Sequence, residues 1–137
     1  MQKLITKAIE KAINETPYGS TDGQRGKAKV IARIFGGPLT AYILEGYQQK
    51  GEKWDGDMVY GLVNIGYGFE YGPFSIKELV ATGYPFMGMR MPFERDIYVD
   101  VKKETLAEIA ELHHEQDAMP DFVFETETND EEETAVA

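Results

Sequence analysis

No cysteine occurs among the 137 residues, so a disulfide framework and a thiolate metal site are both excluded. Long apolar runs are missing too: none approaches the roughly 20 residues that a membrane-spanning helix needs, and no membrane association is expected. The amino-terminal residues do not follow the charged, apolar and small-residue order of a secretory leader, which makes the cytoplasm the expected location. Positive charge is in short supply, with 14 Lys and Arg against 24 Asp and Glu and a net charge of -10. Binding a phosphate backbone requires a basic stripe that displaces counterions, and none is visible, so direct nucleic-acid binding is not expected. Seven of the ten excess negative charges lie from Asp121 onward, where no Lys or Arg offsets them.

What is present suits one domain large enough to bury a core without staples. Leu4, Ile5, Ala8, Ile9, Ala12 and Ile13 recur at three- and four-residue spacing among charges of both signs, which predicts an amphipathic helix over 3–15. Thr16-Pro17 ends it. Tyr18–Gly26 is a polar, glycine-rich loop. A phosphate loop would need glycine where Thr21 stands and Ser or Thr where Ala28 stands, so the loop reads as a connector. Lys27–Phe35 reads as a strand with Val30, Ala32 and Ile34 on one face, Gly36-Gly37-Pro38 as a turn, and Leu39–Tyr47 as the return strand. The polar stretch Gln48–Gly56 holds the single tryptophan, Trp54, either as an exposed contact or folded back as a lid on the sheet.

Asp57–Ile65 is the third strand and Phe69–Phe74 a short fourth, with Pro73 marking an edge or a strand end. Gly66-Tyr67-Gly68 between them is hairpin chemistry, because a dinucleotide fingerprint would need glycine at Tyr71. Ser75-Ile76-Lys77-Glu78 is a capping box that opens a helix over 75–82, stopped by Gly83. Tyr84–Phe93 places Met87, Met89 and Met91 around Arg90, as core filling or as an adaptable binding surface. Arg95–Val99 is a last strand, expected beside Met58–Val63 with the helix at 75–82 across both. Thr105–Leu112 is a short helix within 104–114, ended by His113-His114, which lack the spacing of a zinc motif. The predicted fold is α+β: a mostly antiparallel sheet of four to five strands with two to three helices over 1–118, then a disordered acidic tail over 119–137. Within that tail Met119–Phe124 has the form of a docking motif, or of a strand added to a sheet edge, with Phe122 and Phe124 as its aromatic contacts.

One cluster has the residue types for chemistry. Glu94 and Asp96 would project together from an extended strand, and paired carboxylates can carry acid-base work or hold a divalent metal, with Glu70 as a third member. Alternatively, Arg95 reaches a carboxylate such as Glu70 or Glu78 and rivets the sheet to the helix. No cysteine nucleophile, serine elbow or phosphate loop supports an enzyme class, and no cofactor is expected.

Gly61-Leu62-Val63, Glu70-Tyr71-Gly72, Phe74-Ser75-Ile76-Lys77-Glu78-Leu79 and Pro92-Phe93-Glu94-Arg95-Asp96-Ile97-Tyr98 stand in an order and spacing similar to a bacterial family. That family is the domain of unknown function 2958, found largely on plasmids, phages and other mobile elements. The resemblance covers about residues 1–115 and places two of the family's strands at Lys29–Phe35 and Thr40–Gly46. Pro38-Leu39-Thr40-Ala41-Tyr42 stands where the family has a tryptophan-rich strand. The resemblance implies no catalytic residue. Together with the charge balance, it favours a non-enzymatic accessory protein, monomeric or weakly dimeric, that binds another protein. One form is an acidic decoy for a nucleic-acid-binding host factor. A small hydrolase or metal-dependent enzyme using Glu94, Asp96 and Glu70 is the alternative. A small-ligand module built on segment 84–93 is a third reading. The residues singled out for binding are Glu70, Trp54, Arg90, Glu94, Arg95, Asp96, Phe122 and Phe124.

Overall fold

The computed structural model describes residues 3–124. Five strands form one antiparallel sheet: β1 (Ala32–Gly36), β2 (Leu39–Gly46), β3 (Met58–Asn64), β4 (Phe69–Ser75) and a two-residue outer strand (Glu94–Arg95), in the order β4-β3-β2-β1 and then Glu94–Arg95. Three helices accompany it: α1 (Lys7–Glu15), α2 (Ile76–Thr82) and α3 (Leu106–Leu112). A separate hairpin pairs Tyr84–Phe86 with Met89–Met91. The α+β class and its antiparallel sheet are therefore as the sequence predicts. No helix of the described residues is long and apolar enough to cross a membrane.

The sheet is packed on both faces, and strand alternation decides which residues go where. Ala32, Ile34, Ile43 and Val59 face α1, whose Ile9, Ala12 and Ile13 are buried, together with Ile76, Trp54 and Phe93. Tyr42, Leu44, Leu62 and Phe69 face α3, which buries Leu106, Ile109 and Ala110. Two residues of β2, Leu44 and Glu45, fall where β3 advances by one, from Gly61 opposite Ile43 to Tyr60 opposite Glu45. This bulge keeps Leu44 in the α3-side core and sets Glu45 against Tyr60.

Several sequence expectations are corrected. Met58–Val63 and the strand at 95 are not neighbours. Consecutive hairpins pair each strand with its sequence neighbours, which leaves β2 and β1 between them. Nor does the last strand run to Val99: it stops at Arg95, and Asp96 accepts from the amide of Tyr98 (3.0 Å), turning the chain. β1 starts only at Ala32, and the expected shared face of Val30, Ala32 and Ile34 splits, Val30 joining the α3-side core. The capping box at Ser75 is half built. Its hydroxyl accepts from the amide of Glu78 (3.0 Å), but Asp57 completes the turn by accepting from the Ser75 hydroxyl (2.6 Å) and the Lys77 amide (3.1 Å). Those two bonds hold the Asp57 carboxyl below its usual range. A complete capping box forms instead at α3, between Thr105 and Glu108.

The boundary at 118 moves. Met119 and Val123 are buried against α3, and Asp121–Phe124 makes a 3-10 turn rather than an added strand. Gly26 permits this docking, since a Cβ there would overlap the carbonyl oxygen of Val123. The remainder of the expected tail, 125–137, lies outside the described residues.

Candidate functional site

Two groups of side chains stand out, both on the α3 face of the sheet. The first is buried. Arg33 lies in β1 opposite Tyr42 of β2, so the two share a face. Its guanidinium donates to both Glu115 oxygens (Nε 3.2 Å, Nη2 3.0 Å) and to Asp96 Oδ2 (Nη1 3.2 Å). Tyr42 donates its hydroxyl to Glu115 in a short bond, and His113 Nε2 lies 3.1 Å from Asp96 Oδ2. The C-terminal end of α3 delivers His113 and Glu115, and the turn after the last strand delivers Asp96. Arg33 also lies over the rings of Phe35 and Tyr42, at 5.5 and 5.9 Å from their centroids.

This is the rivet that the sequence placed at Arg95. Arg95 pairs with Ile34, which turns it to the α1 face, where its Nε reaches the Lys3 carbonyl at 3.4 Å. The next residue, Asp96, points the other way and meets Arg33. A cleft of about 560 Å³ opens onto the cluster, lined by its Arg33, Asp96 and His113 and by Phe35, Glu94, Arg95, Ile97 and Tyr98. Its chemistry is nonetheless committed. Both Glu115 oxygens are occupied, Asp96 Oδ2 serves Arg33 and His113, and Oδ1 serves Tyr98. A base needs a lone pair turned toward substrate, and these carboxylates spend theirs on the fold. Glu94 is exposed at the rim. Glu70 is on β4, four strand spacings or about 19 Å from the last strand. Glu94 and Asp96 thus line the same cleft, as the sequence predicts, but Glu70 does not join them. Among the described residues no group of three or more His, Asp and Glu side chains is placed to hold a metal ion.

Burial, and then the bond to Glu115, push the Tyr42 hydroxyl far above its usual pKa of 10.0. For Arg33, burial pulls down, but Glu115 outweighs it and the group is raised. The unfolded chain loses the Tyr42 proton near pH 10 and the folded chain keeps it. The stabilisation is thus complete below that pH and lost as pH rises above it. Urea unfolding followed by Trp54 fluorescence should show stability falling by about 1.4 kcal/mol per pH unit from this group in that window. Tyr42→Phe should remove that part of the slope.

The second group is exposed. Tyr60 of β3 and Tyr71 of β4 stack at 6.4 Å between centroids, Tyr47 stacks on Tyr60 at 6.4 Å, and Phe122 stacks on Tyr71 at 5.6 Å. Tyr18 sits edge-on to both Tyr47 and Tyr60, at 5.1 Å. The result is a continuous strip of five rings, of which Tyr18, Tyr47 and Phe122 are more than two-fifths exposed. Glu45 is buried beneath it and holds the loop that carries Tyr18, accepting from the amides of Gly19 (2.7 Å) and Thr21 (2.8 Å) and the Thr21 hydroxyl (2.6 Å). The glycine-rich loop is thereby pinned by a carboxylate, the opposite of a phosphate cradle. Burial first, then Tyr18, Glu45 and Asp22, raise the Tyr60 pKa; burial and Tyr60 raise that of Tyr71. Both hydroxyls stay protonated donors at neutral pH.

Of the other residues singled out from sequence, Trp54 is the lid and not the contact: it is buried, with its indole N–H donating to the Met58 carbonyl at 2.8 Å. Phe122 belongs to the strip, while Phe124 packs half-buried on the α3-side core. Arg90 is exposed on the small hairpin and donates to the Thr82 carbonyl at 3.1 Å. Of the methionines beside it, Met87 and Met89 are exposed and Met91 is half-buried, so none of the three is a core residue. Sequence reasoning missed Arg33, Tyr42, Glu115 and Glu45, and it missed the strip. Each of the strip's four tyrosines adjoins a glycine, but so do Tyr67 and Tyr84, which lie elsewhere. No family model, curated protein or solved structure matches the chain.

Proposed function

We propose that this protein acts by binding another protein, without chemistry of its own, and that the five-ring strip is its binding surface. The observation that carries the reading is the strip itself. Tyrosines supply large, rigid contact area with a polar tip, the composition enriched where protein surfaces meet. Hydrophobic strips of this kind are normally covered, and here α3 and the 121–124 turn leave the outer rings open to solvent. The buried carboxylates of the arginine cluster, already saturated, argue against the hydrolase alternative. The charge balance and the similarity to a mobile-element family point to a basic host factor as the partner, which is the chemistry of an acidic decoy.

Site-specific photo-cross-linking tests this in the native host. A photoreactive phenylalanine replacing Tyr47 should yield a discrete protein adduct that fades as salt rises, whereas one replacing Arg90 on the small hairpin should not. Absence of an adduct from position 47, or equal adducts from both positions, sinks the assignment of the strip.

A further inference from the structure

Resting on that reading, we infer that the strip takes an extended, proline-rich peptide segment bearing arginine. The ring spacing comes first. Tyr47, Tyr60, Tyr71 and Phe122 succeed one another at 6.4, 6.4 and 5.6 Å, with interplanar angles of 5°, 23° and 17°. A polyproline II chain advances about 6.2 Å for every two residues, so alternate residues fall in step with successive rings. Three such steps accommodate a peptide of about seven residues. The backbone of that helix has no internal hydrogen bonds, leaving its carbonyls free to accept from the hydroxyls of Tyr47, Tyr60 and Tyr71. Aromatic-lined grooves recognise such segments because the ligand is stiff before it binds and loses little entropy.

Charge then selects among ligands of similar spacing. Single-stranded nucleic acid also stacks its bases on aromatic rows, but it needs cations along the phosphate track. The strip has the reverse setting. Asp22 and the buried Glu45 act on Tyr60, and Asp121 adjoins Phe122. The two cations on the neighbouring 3-10 turn, Arg25 and Lys27, are both engaged in interactions of their own. Six further acids follow Phe124 within the next nine residues of the sequence, at positions 125, 127, 130, 131, 132 and 133. A guanidinium suits both features of the surface, since it lies flat on a tyrosine face and pairs with carboxylates.

The test uses the full chain and a fluorescently labelled peptide of repeating Pro-Pro-Arg units, read by anisotropy. Controls carry Glu for Arg or Gly for Pro, and a labelled oligo(dT) completes the set. The Pro-Pro-Arg peptide should bind at least tenfold more tightly than either control peptide, and oligo(dT) should not bind. Tyr47→Ser and Tyr18→Ser, both at exposed positions and checked for native Trp54 fluorescence, should each weaken it severalfold. Binding that ignores the Arg-to-Glu or Pro-to-Gly change, binding of oligo(dT), or no binding at all overturns the ligand class. The cross-link from position 47 decides separately whether the strip binds protein at all, so the two failures remain distinguishable.

Discussion

Arg33→Met is expected to lower the free energy of unfolding by about 3–5 kcal/mol, the cost of leaving buried charges without their partner. Asp96 and Glu115 face Arg33 with side chains only 6% and 15% exposed, so both stay largely desolvated when the guanidinium is gone. The side chain lost is itself 10% exposed. Two companions make the result diagnostic. Arg95→Met, at the position the sequence favoured, should cost clearly less than Arg33→Met, because Arg95 is half-buried on the outermost strand whereas Arg33 is buried. Combining Arg33→Met with Asp96→Asn and Glu115→Gln removes all three charges and should recover most of the loss, because the penalty lies in the unpaired carboxylates. Chemical denaturation with Trp54 fluorescence measures all three variants. A small effect at Arg33 beside a large one at Arg95 would mean the rivet is misassigned.

Gly61→Ala should cost about 3 kcal/mol, at the upper end for volume forced into a packed interior. A Cβ at this position would overlap the carbonyl oxygen of Tyr42 in the neighbouring strand, with the Tyr42 carbonyl carbon at 2.9 Å and the Leu44 amide at 3.2 Å. The obstacle is backbone in the middle of the sheet, beside the bulge, and no rotamer change relieves it. Gly72, opposite Gly61 on the edge strand, meets nothing within 4 Å and supplies the control. Gly72→Ala should be near neutral under the same measurement. Equal effects at the two positions would show that strand propensity, not the close approach of β2, governs the substitution.

The elements whose periodicity is local were legible in the sequence. α1, the β1–β2 hairpin and the Ser75 cap all follow from neighbours within a few residues, and the edge place of β4 follows from Pro73. The pairing of the outermost strand was not legible, because nothing near residue 95 encodes that two other strands come between it and β3. The same limit hid the buried cluster. Arg33 meets acids 63 and 82 residues along the chain, and an arginine in an apolar strand does not name its partners. Glu94-Arg95-Asp96 drew attention through adjacency, yet alternation sends Arg95 and Asp96 to opposite faces. The strip fared worst: its rings come from the loop after α1, the end of β2, β3, β4 and the 121–124 turn, and only the fold assembles them.

The outer margin of β4 has one more consequence. Its seven residues would offer a free row of main-chain donors to any second molecule, but Pro73 lacks an amide hydrogen and Gly72 beside it has no side chain to grip a neighbour. At the opposite margin the terminal strand is two residues long, too short to template growth. The molecule is thus guarded against fibril-like stacking at both ends, and it can keep a greasy tyrosine row in view of solvent without polymerising through its backbone.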